Sequence, residues 1–401
     1  MNATLPMSGY LVVSMEQAVA VPFATRQLAD LGARVIKIER PGSGDFARGY
    51  DSRVKGMSSA FMWLNRGKES IELDIKDTDD RKVLNALLAR ADVFLHNISP
   101  TAARRQGLDS VTLSREYPTL ICGSVSGYGT SGPMADSKAY DLLVQGETGL
   151  MSLNGDEENF AKVGISIADI AAGMYTYSSI LAALHHRTRT GQVSPVDVSL
   201  FDSLAEWLSY PMYYTRHGGI PPRRMGTSHA TIAPYGGFDT GDGDKVLLAV
   251  QNDREWQRFC DMVIDSPEFA NDPRFGSHEA RVANRQVLDT LIADRLSTMT
   301  RETVEARLTD ASIAFARMNT IDDLHTHPQL TMRDRWIATN SEVGVVETLL
   351  PPWLPGGHGA DFGPIPSLGE HTDAIRDWLE SETTDEIQTE SIAMQHESST
   401  P

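Results

Sequence analysis

Along the first 210 residues, short apolar runs alternate with longer stretches whose apolar positions recur at helical spacing. YLVVSM at 10–15 leads into helix-compatible residues 17–31 that stop at Gly32, and VIKIER at 35–40 alternates before a Pro-Gly turn. The pattern recurs with IELDIK at 71–76, a helix over 78–90, ADVFLHN at 91–97, a helix near 101–106 and TLICGSVSG at 119–127. A long helix from Ile170 to about His186, closed by Gly191, precedes VDVSLFDSLAEWL at 196–208, a strand running into a helix. Strands separated by helices at this spacing predict a parallel sheet covered on both faces. Residues 1–210 are therefore expected to form a large Rossmann-like α/β domain.

RHGGIPPRRMG breaks both periodicities, so 211–226 reads as a linker. A smaller α+β domain is expected at 227–325, with a strand at 245–251 and helices around 253–264, 281–297 and 301–310. Residues 326–360, dense in Pro and Gly, read as a returning linker, and 361–382, with a helix at 371–380, as the completion of the large domain. The remainder, 383–401, reads as a polar tail.

Composition narrows the function. Lys and Arg number 36 against 54 Asp and Glu, a net charge of −18, which argues against sequence-independent nucleic-acid binding. A phosphate-bearing ligand must meet local basic residues. No run approaches the ~18 apolar residues of a spanning helix, and the N-terminus carries neither a basic n-region nor an apolar h-region, so a cytoplasmic protein without membrane attachment is expected. Cys122 and Cys260, the two cysteines, offer neither a disulfide framework nor a multi-cysteine metal site. No G-x-G-x-x-G follows the first strand, so the usual dinucleotide fingerprint is missing there; the P-loop, H-E-x-x-H and G-x-S-x-G are absent too, and His185 and His186, being adjacent, do not share a helix face as zinc ligands do; no metal site is expected.

In ISIADIAAGMYTYSSILAALHHRTRTG, Asp169 opens a helix rich in Ala and Gly. One role for it is an N-cap, accepting backbone N–H groups at the positive end of the helix dipole. The other is a nucleophilic carboxylate, with Ala171, Ala172 and Gly173 leaving room for a bulky ligand. The two roles are compatible.

That segment, with LADLGARVIKIERPGSGDFARG at 28–49, LNRGKESIELDIK at 64–76, ADVFLHN at 91–97, SGYGTSGP at 126–133, KAYDLLVQ at 138–145 and TIAPYGGF at 231–238, carries a resemblance. From about residue 9 to 380 the chain resembles the class III CoA-transferases, which include formyl-CoA transferase, carnitine CoA-transferases, mesaconyl-CoA C1–C4 CoA-transferase and, as a divergent branch, α-methylacyl-CoA racemase. The resemblance implies that Asp169 attacks an acyl-CoA thioester to form an aspartyl-acyl anhydride and then an aspartyl-CoA thioester. It implies CoA thioesters as substrates, no tightly bound cofactor, and an interlocked homodimer. By local match, Val19, Ala20, Arg40, Leu73, Asn97, Arg105, Lys138 and Tyr140 fall on the family's CoA-binding positions, although HNI at 96–98 departs from the usual Glu-Asn-Phe. Val19 stands where formyl-CoA transferase has Gln, and the family's glycine-rich flap is not evident, which argues against formyl transfer to oxalate. Tyr140 stands where the racemase branch has a His, and with a reference pKa near 10 tyrosine is a poor proton acceptor, so transferase is favoured over racemase. Likeness to mesaconyl-CoA transferases points to a four- or five-carbon dicarboxylate, whose second carboxylate needs a cation; Arg48, Arg223, Arg224 and His229 are the candidates. A non-catalytic subunit that binds CoA esters is the alternative from another class.

Overall fold

Six strands form the sheet that the alternation predicts: β1 (Leu11–Met15), β2 (Arg34–Glu39), β3 (Lys68–Glu72), β4 (Val93–His96), β5 (Ile121–Ser126) and β6 (Val196–Ser199). All neighbours run parallel, in the order β3-β2-β1-β4-β5-β6. The fold is thus the α/β class expected, and strand order reverses between β1 and β4, the switch point at which open parallel sheets bind ligands beyond the strands' C-terminal ends. The computed structural model describes residues 5–219, 221–354 and 361–381; the polar tail expected at 383–401 lies outside the described residues. The chain divides into two compact units, Met1–Thr148 with Val163–Ser209 and Thr331–Pro401, and Gly149–Lys162 with Tyr210–Leu330.

In the large unit the helices are α1 (Ala20–Asp30), α2 (Ser59–Asn65), α3 (Thr78–Arg90), α4 (Pro100–Gln106), α5 (Ser110–Glu116), α6 (Asp141–Glu147), α7 (Ile167–Thr190) and α8 (Leu200–Trp207). Local chemistry places their ends. Asp77 accepts from the Asp79 and Asp80 N–H groups to start α3, and Ser99 caps α4 with Pro100 in its first turn. One sheet face buries Val13, Ile36, Ile71 and Phe94 against Leu84 and Leu87 of α3 and Ile375 and Leu379 of the helix at 372–381. Because side chains alternate along a strand, Lys37 and Lys68 fall on the opposite face, where both are buried. Of the described helices, α7 is the one long and apolar enough to cross a membrane; here it packs on α1, α8 and β5, burying Ala168, Ala171, Ala172, Thr176 and Ile180.

The small unit builds a three-stranded antiparallel sheet from β7 (Tyr235–Asp239), β8 (Lys245–Ala249) and β9 (Ala314–Arg317). Trp256, Phe259, Leu288, Ile292, Val304 and Leu308 fill its core. The helix expected over 253–264 is α-helical only to Arg258 and continues as a π turn, Phe259–Val263. Two connecting segments are more ordered than their composition implies. Residues 211–218, read as linker, belong to α9 (Ser209–Gly218), whose Pro211 lies in the first turn, where no intrahelical N–H is required. Within 326–360, β10 (Trp336–Thr339) and β11 (Val346–Leu349) pair as a hairpin. Arg66 anchors it, donating to Thr348 Oγ1 at 3.0 Å and to the Leu349 carbonyl while holding Asp30 through two 2.8 Å bonds.

Gly173 sets the approach of α7 to α1. A Cβ there would lie 2.7 Å from the Ala20 carbonyl oxygen and 3.0 Å from the Phe23 ring. Alanine is worth ~1 kcal/mol over glycine inside a helix, but this contact is with backbone that cannot step aside. Gly173→Ala is expected to lose about 1–3 kcal/mol net, measured by denaturant unfolding; a stabilised variant would show that the helices are not in register here.

Candidate active site

Beyond the C-terminal ends of the strands lie the turn 16–19 after β1, Arg40 after β2, Leu73 after β3, Asn97 after β4 and the 127–140 segment after β5. Asp169 sits in the first turn of α7, the crossover helix between β5 and β6. Residues four apart share a helix face, so Asp169 lies on the face of α7 that carries Gly173 and its approach to Ala20.

The cap of α7 is not Asp169. Ser166 holds the N-cap position without a side-chain bond, and the Asp141 carboxylate, on α6, accepts from the Ala168 N–H at 2.7 Å and the Asp169 N–H at 3.4 Å. Asp141 is held in turn by Gln145, which is buried, donates to Asp141 Oδ2 at 2.7 Å and accepts from the Val163 N–H at 2.9 Å. The N-cap expectation for Asp169 is thereby corrected: a second carboxylate satisfies the helix end and leaves Asp169 free. Among the described residues nothing donates a hydrogen bond to its side chain. Burial, and then the charge of Asp141, push its carboxyl up to about 7. A carboxylate poorly solvated and without donors is a stronger nucleophile than one in water.

The small residues after Asp169 do a different job from the one expected. Ala171 and Ala172 are fully buried and Gly173 meets α1, so they permit helix packing rather than ligand entry. Two exposed aromatics are electrostatically linked to the site. Burial, then the charges of Asp45 and Asp169, then Tyr140, raise the Tyr50 hydroxyl to about 12. Tyr50 and Tyr140 are 52% and 66% exposed and so available to a ligand. Tyr50 directly follows the GSGDFARG motif and Asp141 lies inside KAYDLLVQ; both motifs were legible, but the partners of these two residues were not.

Most positions matched to CoA contacts fall at this edge of the sheet; Arg105 lies in the last turn of α4. Val19 and Ala20 are buried at the start of α1, and Leu73 packs in the core beside Ile71, its N–H donating to the Glu39 carbonyl at 3.0 Å. Asn97 brackets Gln17 across the switch point, accepting its N–H at 3.1 Å and donating to its carbonyl at 2.8 Å. Arg40, Arg105 and Lys138 are exposed. Two of the four cations expected to meet a second carboxylate are already engaged, which corrects that expectation. Arg48 makes bonds of 2.9 and 2.7 Å to Glu39 and also donates to the Pro366 carbonyl, with its guanidinium 3.7 Å from the Phe61 ring centre. Arg224, in the small unit, donates to the Asp156 and Glu157 carbonyls at 2.7 Å each and lies over Phe160. Arg223 is exposed. His229 stacks on Tyr235 with centroids 5.2 Å apart, and its Nδ1 accepts from the Thr231 N–H at 3.2 Å.

Residues 7–372 match the model of CoA-transferase family III. The chain is 38% identical to an acetyl-CoA:oxalate CoA-transferase of Acetobacter aceti over 73% of its own length and 75% of the relative's. It is 32% identical to a succinate–glutarate CoA-transferase of Agrobacterium fabrum over 95% of this chain and 97% of that one. A succinyl-CoA:mesaconate CoA-transferase of Haloarcula hispanica is 34% identical over 80% and 84%. Among solved structures, a CAIB/BAIF family protein from Brucella suis superposes with a TM-score of 0.81 at 33% identity, covering 94% of this chain and all of that one.

The raised pKa of Asp169 fixes the sign of a stability effect. Between about pH 4 and 7 the folded chain keeps a proton that the unfolded chain has released, so this residue lowers stability as pH rises through that window. Asp169→Asn removes the titration while keeping the shape. Its stability relative to wild type is expected to rise by ~1–2 kcal/mol from pH 4.5 to pH 8, the shift being discounted for partial exposure. Chemical denaturation at both pH values tests this, and a difference independent of pH would contradict it.

Proposed function

The chain belongs to CoA-transferase family III, and on that premise we propose that it moves coenzyme A from a short-chain acyl-CoA to a four- or five-carbon dicarboxylate such as mesaconate, with Asp169 as the nucleophile. One observation carries the assignment: Asp141 satisfies the start of α7, leaving the Asp169 carboxylate without a hydrogen-bond donor among the described residues and with a raised pKa. A carboxylate serving only the fold has no reason to remain unpaired beside a second carboxylate.

The chemistry follows from exchange between two leaving groups. An Asp169 oxygen attacks the thioester carbonyl, the C–S bond breaks, and CoA leaves as thiolate, giving a mixed anhydride. The thiolate then attacks the aspartyl carbonyl of that anhydride, releasing the first acid as its carboxylate and forming the aspartyl-CoA thioester. The acceptor carboxylate attacks this thioester, expelling thiolate and making a second anhydride. Attack of thiolate on the new acyl carbonyl yields the product acyl-CoA and restores Asp169. Thiolate and carboxylate both leave without protonation, so no step requires a general acid. Tyr140, exposed at the N-cap of α6, stands where the racemase branch has a His, and this favours transfer over racemisation.

The dicarboxylate acceptor draws its support from the relatives named for succinate, glutarate and mesaconate. The oxalate relative places oxalate in the same test, against the expectation drawn from Val19. With Arg48 and Arg224 engaged, Arg223 and His229 are the remaining candidates for the second carboxylate, and Arg40, Arg105 and Lys138 for the CoA phosphates. The homodimer reading is supported by α9, which buries none of its residues and exposes Tyr210, Met212, Tyr213 and Tyr214.

Incubation with succinyl-, mesaconyl-, itaconyl- or acetyl-CoA is expected to leave a covalent adduct by intact mass, absent in Asp169→Ala. CoA-ester binding without an adduct would instead favour a non-catalytic subunit. Against a panel of mesaconate, glutarate, succinate, citramalate and oxalate, turnover is expected to be highest with a four- or five-carbon dicarboxylate, and preference for oxalate would overturn the acceptor. Transfer should rise with pH through an inflection near 7, because the carboxylate form attacks. In Asp141→Asn the inflection should move to lower pH as the neighbouring charge is lost; an unmoved profile would separate it from Asp169. Sedimentation at nanomolar concentration should give a dimer mass.

A further inference from the structure

Residues 16–18, the turn between β1 and α1, are held at three successive positions. The Glu16 carboxylate accepts from Lys68 Nζ at 2.7 Å and Thr25 Oγ1 at 2.6 Å. Gln17 is bracketed on both backbone groups by Asn97. The Ala18 N–H donates to Asp45 Oδ1 at 3.0 Å, and Asp45 also accepts from the Ala47 N–H at 2.9 Å and from the buried Lys37 Nζ at 2.6 Å. Ala18 has φ of +62°, a left-handed backbone that a residue with a Cβ adopts reluctantly. A single unfavourable residue persists where its surroundings over-determine it, and such positions concentrate at working sites.

The turn delivers Val19 and Ala20 to the start of α1, where Val19 has no side-chain cap. The Ala20 carbonyl is the atom that Gly173 on α7 admits, and Asp169 lies one helical turn before Gly173 on the same face. The conformation of residue 18 therefore sets the position of the backbone nearest the Asp169 face of α7. We propose that Asp45 is a positioning residue for acyl transfer: by holding Ala18 in its left-handed conformation it places the 17–20 turn where a thioester carbonyl must lie for attack by Asp169. Lys37 keeps Asp45 oriented. The proposal rests on Asp169 being the nucleophile. Asp45 does not touch the reacting atoms.

The test compares Asp45→Ala, and Asp45→Ala combined with Ala18→Gly, with wild type. Asp45→Ala is expected to lower kcat about tenfold or more while changing KM for the CoA ester by less than about threefold. Hydrogen exchange in peptides covering 16–20 should accelerate about tenfold. Adding Ala18→Gly should restore a large part of kcat, because glycine adopts φ of +62° without the clamp. A residue that only stabilises the fold predicts a lower Tm with unchanged kcat per adduct-forming site, or a loss that glycine does not rescue; either result overturns the proposal. If Asp45→Ala does not fold, Ala18→Val, which disfavours positive φ and leaves the Lys37–Asp45 pair intact, should give the same kcat loss and faster exchange, and wild-type values for either would overturn it. Exchange needs no substrate, so it reads the clamp separately from the nucleophile. A wild-type chain that forms no adduct refutes the Asp169 mechanism instead.

Discussion

Two buried lysines, Lys37 within β2 and Lys68 at the start of β3, with the buried carboxylates Glu16 and Asp45, constrain everything around the site. Lys37 contacts Asp45 at 2.6 Å, Asn65 at 3.1 Å and Glu16 at 3.5 Å; Lys68 contacts Glu16 at 2.7 Å, Asn65 at 3.0 Å and the Pro22 carbonyl at 3.0 Å. Removing four charges from water costs several kcal/mol per ion, so such a cluster survives only if its hydrogen-bonding capacity is met. Burial drags the Lys68 ammonium down to about 8, opposed by Glu16 and assisted by Lys37. Burial alone would raise Glu16, yet Lys68 and Lys37 outweigh it and hold it below its ordinary range. The cluster contributes less to stability than to geometry, because any displaced member strands a buried charge.

From that cluster the order of the site follows. Glu16 and Asp45 fasten the turn after β1, Lys68 reaches the first turn of α1, and α1 receives α7 at Gly173. Glu39 extends the same logic on β2, where Arg48 and Ser70 hold its carboxyl at about 2 against the opposing effect of burial. Asp169 is the exception. Among the described residues nothing donates a hydrogen bond to its side chain, and burial with the charge of Asp141 raises its carboxyl to about 7.

Much of the strand and helix alternation of the large unit was legible because its signals are local, but the strand expected at 71–76 lies at 68–72, and the short helices α2, α5 and α6 were not read. The bounds expected for the 78–90 helix agree with α3, where Asp77 supplies the cap, and the alternation in VIKIER gives β2. The hairpin of β10 and β11 was not legible, since Pro and Gly near 351–357 dominate the composition while its anchor, Arg66, lies some 282 residues away from Thr348. Likewise 211–218 reads as a linker because the Gly, Pro and Arg of RHGGIPPRRMG dominate the segment, whereas the chain forms α9 there, a helix that buries no residue.

Periodicity, caps and motif spacing are properties of neighbouring residues, so the parallel sheet and the carboxylate that opens the long helix after β5 could be read along the chain. What each charged group is for came only from packing. Lys37 reads as the polar half of an alternating strand, yet the face it occupies is covered and it is fully buried. Arg48 reads as a free cation until Glu39 is brought to 2.7 Å. Asp169 reads as a cap until Asp141, 28 residues earlier, arrives to accept the helix N–H groups in its place. A charge takes its role from whatever meets it through space, and that meeting is made by packing between elements far apart along the chain.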